Sequence, residues 1–271
     1  MKNNLMLTLK GLAIGIANVI PGVSGGTIAV LLGVYEELTE SIGNFLTASW
    51  KKKMEYSRFL FFLGIGAIVG ILAFASLVKY SITNYPKITA GIFTLLIIPT
   101  IPLITKGENR TKTRNIVFFF IGALITGLFI LLDYKLGGRN GVTTGVTFNT
   151  GYYIKLAICG AIAAGAMIIP GISGSLLLLM LGEYYNVLAY VSSFKNLIGN
   201  FKDISKSGLS LSTIFSDVSI LPLTFFSLGI IIGLIVIAKI INYLLKRWRS
   251  ETLFFITGLV VVSIFQIWLK V

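Results

Sequence analysis

Residues 18–38 read NVIPGVSGGTIAVLLGVYEEL, and residues 167–187 read MIIPGISGSLLLLMLGEYYNV. The second stretch repeats the first at an offset of 149 residues, with Pro21 falling on Pro170. Gly22, Ser24, Gly25, Leu32, Gly33 and Tyr35 coincide with Gly171, Ser173, Gly174, Leu181, Gly182 and Tyr184. Upstream, Gly11 and Ala17 coincide with Gly160 and Ala166. Downstream, Gly66-x-x-x-Gly70 is echoed by Gly229-x-x-x-Gly233. The chain is therefore two related halves. Apolar segments broken by Gly and Pro at matching positions are a transporter signature.

Each copy has a physical meaning. Proline removes a backbone donor and fixes φ, which ends the preceding helix. The glycines allow a tight turn and close backbone approach. Ser24, Thr27, Ser173 and Ser175 are the residues to cap the helix that follows. The product is a helix start with free N–H groups and a positive dipole end, set in apolar surroundings. Unpaired backbone in hydrocarbon is costly, so this start must face protein, water or ligand. Two such starts brought together suit one phosphate or carboxylate. A kink that only lets helices pack closely explains a single copy well and two copies poorly. Gly11, Gly15, Gly66, Gly70, Gly229 and Gly233 read as small-residue packing faces.

The composition places these motifs in a bilayer. The chain has 271 residues, 55% apolar and 12% charged, with mean hydropathy +0.90. A soluble domain carries about 25% charged residues. The expected fold is an all-α polytopic membrane protein forming a single membrane domain over residues 1–271. Five apolar runs, near 59–79, 88–105, 115–133, 218–240 and 252–269, are long enough to span. Pro99 and Pro102 kink or fray the end of the second. The two broken segments cover about 5–45 and 153–191. Repeat 1 then runs from about 5 to 105, a linking helix from 115 to 133, and repeat 2 from 153 to 269. The N-terminal apolar segment imitates a signal peptide, but its pattern recurs in mid-chain, where none can be.

Two topologies follow. Re-entrant hairpins at the breaks put three spans between the copies and make the halves inverted. Full crossings at the breaks make the halves parallel. With the N-terminus inside, the first topology collects Lys2, Lys10, Lys51–Lys53, Arg58, Lys106, Arg110, Lys112, Arg114, Lys239, Lys246, Arg247 and Arg249 inside, 14 of 23 basic residues. The second leaves Lys246, Arg247 and Arg249 outside. The inverted, re-entrant reading, with about five spans and two re-entrant segments, is favoured.

The net charge of +13 reflects this inside bias and attraction to anionic membrane lipids rather than nucleic acid. The chain has no His, which removes His-based catalysis and His-ligated metal. No Walker motif is present, and no cofactor or metal is implied. The lone Cys159 reads as a small buried hydrophobe. Glu36, Glu37 and Glu183 follow the short apolar arms; within the membrane they are coupling or gating candidates for H+ or Na+, and at its edge they are ordinary interfacial acids. Arg139 and Lys155 fall on the outer side, where they could attract an anionic headgroup.

The ordered pair Asn18-Val-Ile-Pro21-Gly22-Val-Ser24-Gly25-Gly26-Thr27 and Pro170-Gly171-Ile-Ser173-Gly174-Ser175 resembles a bacterial membrane family long filed as a domain of unknown function, the PopT-type undecaprenyl-phosphate translocases. The resemblance covers essentially the whole chain. It implies a multi-pass protein of the bacterial cytoplasmic membrane that returns undecaprenyl phosphate from outer to inner leaflet for wall-polymer synthesis. It also implies that the motif residues, Asn18 included, bind the phosphate while alternating access moves it. A secondary transporter or channel for a small anion remains the alternative. A lipid-phosphate enzyme is disfavoured, because Ser24 and Ser173 lack an evident base.

Overall fold

The computed structural model describes residues 4–19, 24–136, 148–199 and 220–269. Pro21, Gly22 and Arg139 lie outside the described residues. All regular structure among the described residues is helical. The helices are α1 Asn4–Asn18, α2 Gly25–Leu31, α3 Tyr35–Gly43, α4 Trp50–Asn84, α5 Pro86–Ile97, α6 Thr100–Ile104, α7 Thr113–Leu136, α8 Thr150–Ile168, α9 Gly174–Met180, α10 Tyr184–Gly199, α11 Ile220–Arg247 and α12 Arg249–Leu269.

Among the described residues, six helical stretches are long and apolar enough to cross a membrane: α4, α5 with α6, α7, α8, α11 and α12. This corrects the expected five, and α8 is the addition. Sequence reading made it one arm of a broken segment. It has 19 residues, which at ~1.5 Å per residue match the ~30 Å hydrocarbon core. Its counterpart α1 has 15. The break between α5 and α6 falls at Ile98–Pro99, as the prolines predict.

The sequence repeat is a structural repeat at the level of single hydrogen bonds. The short helix α2 ends with Gly33 N–H donating to Val30 O and Val34 N–H to Ala29 O, both at 3.0 Å. In the second half, Gly182 N–H donates to Leu179 O and Glu183 N–H to Leu178 O, again both at 3.0 Å. This is the Schellman ending, which needs a left-handed residue at its turn. Gly33 and Gly182 supply it, with φ of +65° and +74°. A new helix begins at once, at Tyr35 and Tyr184.

Small residues repeat in the same way. In the first half, Gly66 lies against the Thr8 carbonyl, Gly70 against Leu12 and Gly11 against Leu63. In the second, Gly229 lies against the Ala157 carbonyl, Gly233 against Ala161 and Gly160 against Phe226. The α1–α4 contact is thus rebuilt as α8–α11, with no room at any of these positions for a Cβ. The glycines expected to pack do so. A further reciprocal pair, Gly122 on the Phe255 carbonyl and Gly258 on the Phe119 carbonyl, joins α7 to α12.

The chain divides into two compact units, one of Met1–Leu131, Ala166–Ser173 and Leu234–Val271, the other of Leu132–Gly165 and Gly174–Gly233. The core of the first includes Leu7, Ile14, Ile28, Phe59, Ile97, Ile168 and Val260. That of the second includes Leu156, Cys159, Ala163, Leu178, Val187 and Phe226. Cys159 is buried, as its apolar setting predicts.

Backbone-on-backbone contact makes the glycines testable. Gly66→Leu and Gly229→Leu should each push two helices apart and cost about 1–3 kcal/mol or more. Gly64 and Gly127 meet nothing within 4 Å, so Ala there should hold or raise stability. Thermal midpoints of the purified protein should fall for the first pair and not for the second.

Candidate functional site

The first break builds a closed polar corner. Ser24 is the N-cap of α2, with extended backbone, and its Oγ accepts from Gly26 N–H at 3.2 Å. Asn18, on the last turn of α1, accepts from Gly25 N–H through Oδ1 at 3.0 Å. Thr27 N–H donates to Ser24 O at 2.9 Å. Farther from the break, Lys10 Nζ donates to the Leu32 carbonyl at 2.7 Å. One contact joins residues 18 and 25, the other 10 and 32, so α1 and α2 fold back on each other as a hairpin. The donors expected to stand free at this helix start are held by Asn18 and Ser24 side chains. Ser24 makes the cap; Thr27 sits inside the first turn. Thr27 is only 1% exposed, and its Oγ1 has no hydrogen-bond partner among the described residues.

The second break comes to the same corner. Ser24 Oγ donates to the Met167 carbonyl over a long 3.5 Å. A Cβ on Gly26 would lie 2.7 Å from the Ile168 carbonyl, so only Gly allows this approach. The C-terminal carbonyls of α8 thus face the N-terminal donors of α2, a favourable pairing of opposite dipole ends. Pro170 and Gly171 are buried, and Gly171 has φ of +82° with the Leu259 carbonyl close behind it. Gly25 and Gly174 are buried at the starts of α2 and α9. Ser173 is half-buried and Ser175 exposed, and both have interaction partners.

The acidic candidates separate. Glu36 is exposed and bound by both ends of the Arg249 guanidinium, at 2.7 and 2.8 Å. Arg249 also reaches Glu108 at 3.5 Å, and Lys246 reaches Glu40 at 3.3 Å. Glu251, buried, takes Arg114 at 3.2 Å and Lys112 at 3.7 Å. Glu36, Glu37, Glu40, Glu55, Lys52, Lys106 and Arg249 line a cavity of about 670 Å3. Glu36 and Glu37 therefore belong to the cluster of basic residues assigned to the inner side. Sequence reading missed this network, although its signal was present in acids and bases sharing the same short connecting segments.

Glu183 is different. It is 2% exposed and accepts from Lys155 Nζ at 2.6 Å, Tyr152 OH at 2.8 Å and Asn186 Nδ2 at 2.9 Å. Tyr190 OH lies 3.0 Å from Tyr152 OH. Two residues given separate roles, Lys155 and Glu183, are one ion pair. Tyr152, Asn186 and Tyr190 were missed. Their signal is spacing: 152 and 155 share a face of α8, as 186 and 190 share a face of α10, with 183 just before that helix. The first half lacks this cluster, since Val34 stands at the position of Glu183.

Comparison with known proteins agrees with this architecture. The model of the family described as undecaprenyl phosphate translocase-like matches residues 14–270. A polyprenyl-phosphate transporter of Vibrio cholerae is 32% identical over 98% of this chain and 78% of its own length. A polyprenyl-phosphate transporter of Staphylococcus aureus is 32% identical over 96% of this chain and 84% of its own. No solved structure matches. With six helices fit to cross a bilayer and a match over nearly its whole length, the chain is a multi-pass membrane protein and belongs to the undecaprenyl phosphate translocase-like family.

Proposed function

We propose that this protein moves undecaprenyl phosphate across the bacterial cytoplasmic membrane, returning the carrier from outer to inner leaflet for wall-polymer synthesis, without enzymatic change. The relatives named as polyprenyl-phosphate transporters support the substrate class. The observation that carries the reading is the meeting of two breaks at one corner, where Ser24 and Gly26 face the Met167 and Ile168 carbonyls, with the buried, unpartnered hydroxyl of Thr27 on the same first turn.

A phosphate needs several donors at one place, and this corner holds them in reserve. Gly25 and Gly26 N–H, Ser24 Oγ and Thr27 Oγ1 are within three residues of one another. The two N–H groups are held by side chains that can rotate away, Asn18 and Ser24, and Ser24 Oγ itself donates to the Met167 carbonyl over a long contact. The headgroup takes over these donors, and the positive end of α2 offsets part of its charge. The Ser173–Ser175 start of α9 is the pseudo-equivalent donor set. The prenyl chain stays in lipid, so the corner lowers the cost of carrying a bare phosphate through hydrocarbon. The folding back of α1 on α2 supports a re-entrant hairpin, and the repeated α1–α4 and α8–α11 contacts support two halves that rock about the breaks in alternating access.

Reconstituted vesicles test the proposal. Labelled undecaprenyl phosphate should change leaflet faster with protein than in empty vesicles; an equal rate sinks it. Release of inorganic phosphate would favour an enzyme, and solute flux without lipid movement would favour a small-anion pathway. Thr27→Val is the sharper variant. Removing an unsatisfied buried hydroxyl is neutral or stabilising for the fold, so the thermal midpoint should hold or rise. Transport should fall about tenfold, the worth of one strong hydrogen bond of ~1.4 kcal/mol. Ser24→Ala combined with Ser173→Ala should reduce carrier recycling in cells more than it reduces protein level.

A further inference from the structure

Glu36, Glu40 and Gly43 share one face of the short helix α3. That face lies against the end of α11 and the start of α12. Glu36 meets Arg249, Glu40 meets Lys246, and a Cβ on Gly43 would lie 2.6 Å from the Lys239 backbone nitrogen. Numbers rise along one partner and fall along the other, so α3 runs antiparallel to the last turns of α11. All of these residues belong to the first compact unit. The Gly43 end of α3 is seated backbone on backbone, and the Glu36 end is joined to α12 by side-chain charge.

The turn between α11 and α12 is held on a second side, to the start of α7. There Glu251 takes Arg114 and Lys112, and Asn115 Nδ2 donates to Ser250 Oγ at 2.7 Å. The two attachments differ in kind. The Glu251 side chain is 8% exposed, whereas those of Glu36 and Arg249 are 52% and 53% exposed. A buried carboxylate cannot leave its cations without a heavy penalty. Exposed pairs are individually weak and screened by salt. The turn is thus fixed to α7 and only fastened to α3. The fastened end is also not at ease in its seat. Tyr35, beside Glu36, is buried with its hydroxyl unpartnered among the described residues, a cost that leaving the seat relieves. Behind this end is the cavity of about 670 Å3, with Val30, Leu103, Ile104 and Leu253 among its lining and both Glu36 and Arg249 in its wall.

The duplication adds an independent argument. Gly66 and Gly229 set an offset of 163 between α4 and α11, and at that offset Asn84 and Pro86, where α4 ends and α5 begins, fall on Arg247 and Arg249. The positions answering Glu36, Glu40, Lys246 and Arg249 are Tyr185, Ala189, Thr83 and Pro86, none of them charged. The frame repeats its helix endings and its glycine contacts but not these ion pairs. They serve something that one half needs and the other does not.

We propose that the Glu36–Arg249 and Glu40–Lys246 pairs are a releasable clasp on one side of the molecule. When they part, the Glu36 end of α3 lifts from the α11–α12 turn about the Gly43 contact, and the cavity behind it opens while the turn stays fixed to α7. The inference rests on the reading of this protein as an alternating-access carrier and adds to it a lock on one side only.

The test reads access to the cavity directly. Leu253 lies one turn beyond Arg249 in the cavity wall. Leu253→Cys with Cys159→Ala leaves a single thiol, at that place. Its rate of maleimide labelling is measured on the full-length protein in nanodiscs. Glu36→Gln and Arg249→Gln should each speed labelling about threefold, the scale of one exposed pair, with the thermal midpoint nearly unchanged. The double variant E36Q/R249Q should label no faster than Arg249→Gln, because both changes remove one contact. Salt at about 1 M, where the Debye length is ~3 Å, should speed the wild type more than the double variant. Glu251→Gln should instead lower the thermal midpoint. A second probe, Val30→Cys at the end of α2, should follow the same order. Equal labelling of wild type and both single variants overturns the inference. So do additive effects in the double variant, an equal salt effect on both proteins, or a rise confined to one probe. If wild type moves undecaprenyl phosphate between leaflets while labelling ignores these changes, the clasp alone fails. If labelling follows the expected order but no lipid moves, the clasp stands and the transport reading fails.

Discussion

A backbone broken inside an apolar medium has to find its hydrogen-bond partners within the protein. Everything distinctive in this molecule follows from how that is done at the two Pro-Gly breaks. At the first, Asn18 and Ser24 side chains take the donors of Gly25 and Gly26. The carbonyls ending α8 come up against the same corner. The result is a polar corner whose backbone donors are held by side chains, with the Thr27 hydroxyl left without a partner among the described residues. A fully helical crossing has no such donors to offer, and a fully open break would not persist in hydrocarbon.

The glycines make the breaks possible by locking the helices beside them. The α1–α4 and α8–α11 contacts bring backbone against backbone, so neither pair can slide without losing close packing along its length. The Schellman endings at Gly33 and Gly182 then fix where each short helix stops and the next begins.

The halves are alike in backbone and unlike in charge. Lys10 and Lys155 both come from the first arm to the junction that follows the short helix, but they find different partners. Lys10 meets the Leu32 carbonyl, and Lys155 meets the Glu183 carboxylate. Val34 at the position of Glu183 accounts for the difference. Duplication supplied a common frame, and substitution at one junction turned a plain helix end into a charged, tyrosine-rimmed cluster. The acids Glu36, Glu40 and Glu251 went another way, into ion pairs with the basic turn at Lys246–Arg249 and the segment at Lys112–Arg114.

Composition, repeat and breaks were legible in the chain because each is local or periodic. Apolar runs mark spans, Pro and Gly mark breaks, and a constant offset marks duplication. The cap at Ser24 follows from residue type. The length of α8 did not, because its polar beginning at Thr150–Tyr153 hides a helix long enough to cross behind a break signal. Neither did the partners. That Ser24 meets Met167, that Lys155 meets Glu183, and that Arg249 binds Glu36 depends on which helix faces come together. Side-chain pairs separated by tens to hundreds of residues leave no mark in spacing. The sequence by itself determined a duplicated, helical, membrane-bound chain with two glycine-rich breaks. Only tertiary packing decided which donors those breaks keep and which charges share a site, because satisfaction of a buried polar group is a property of neighbours in space.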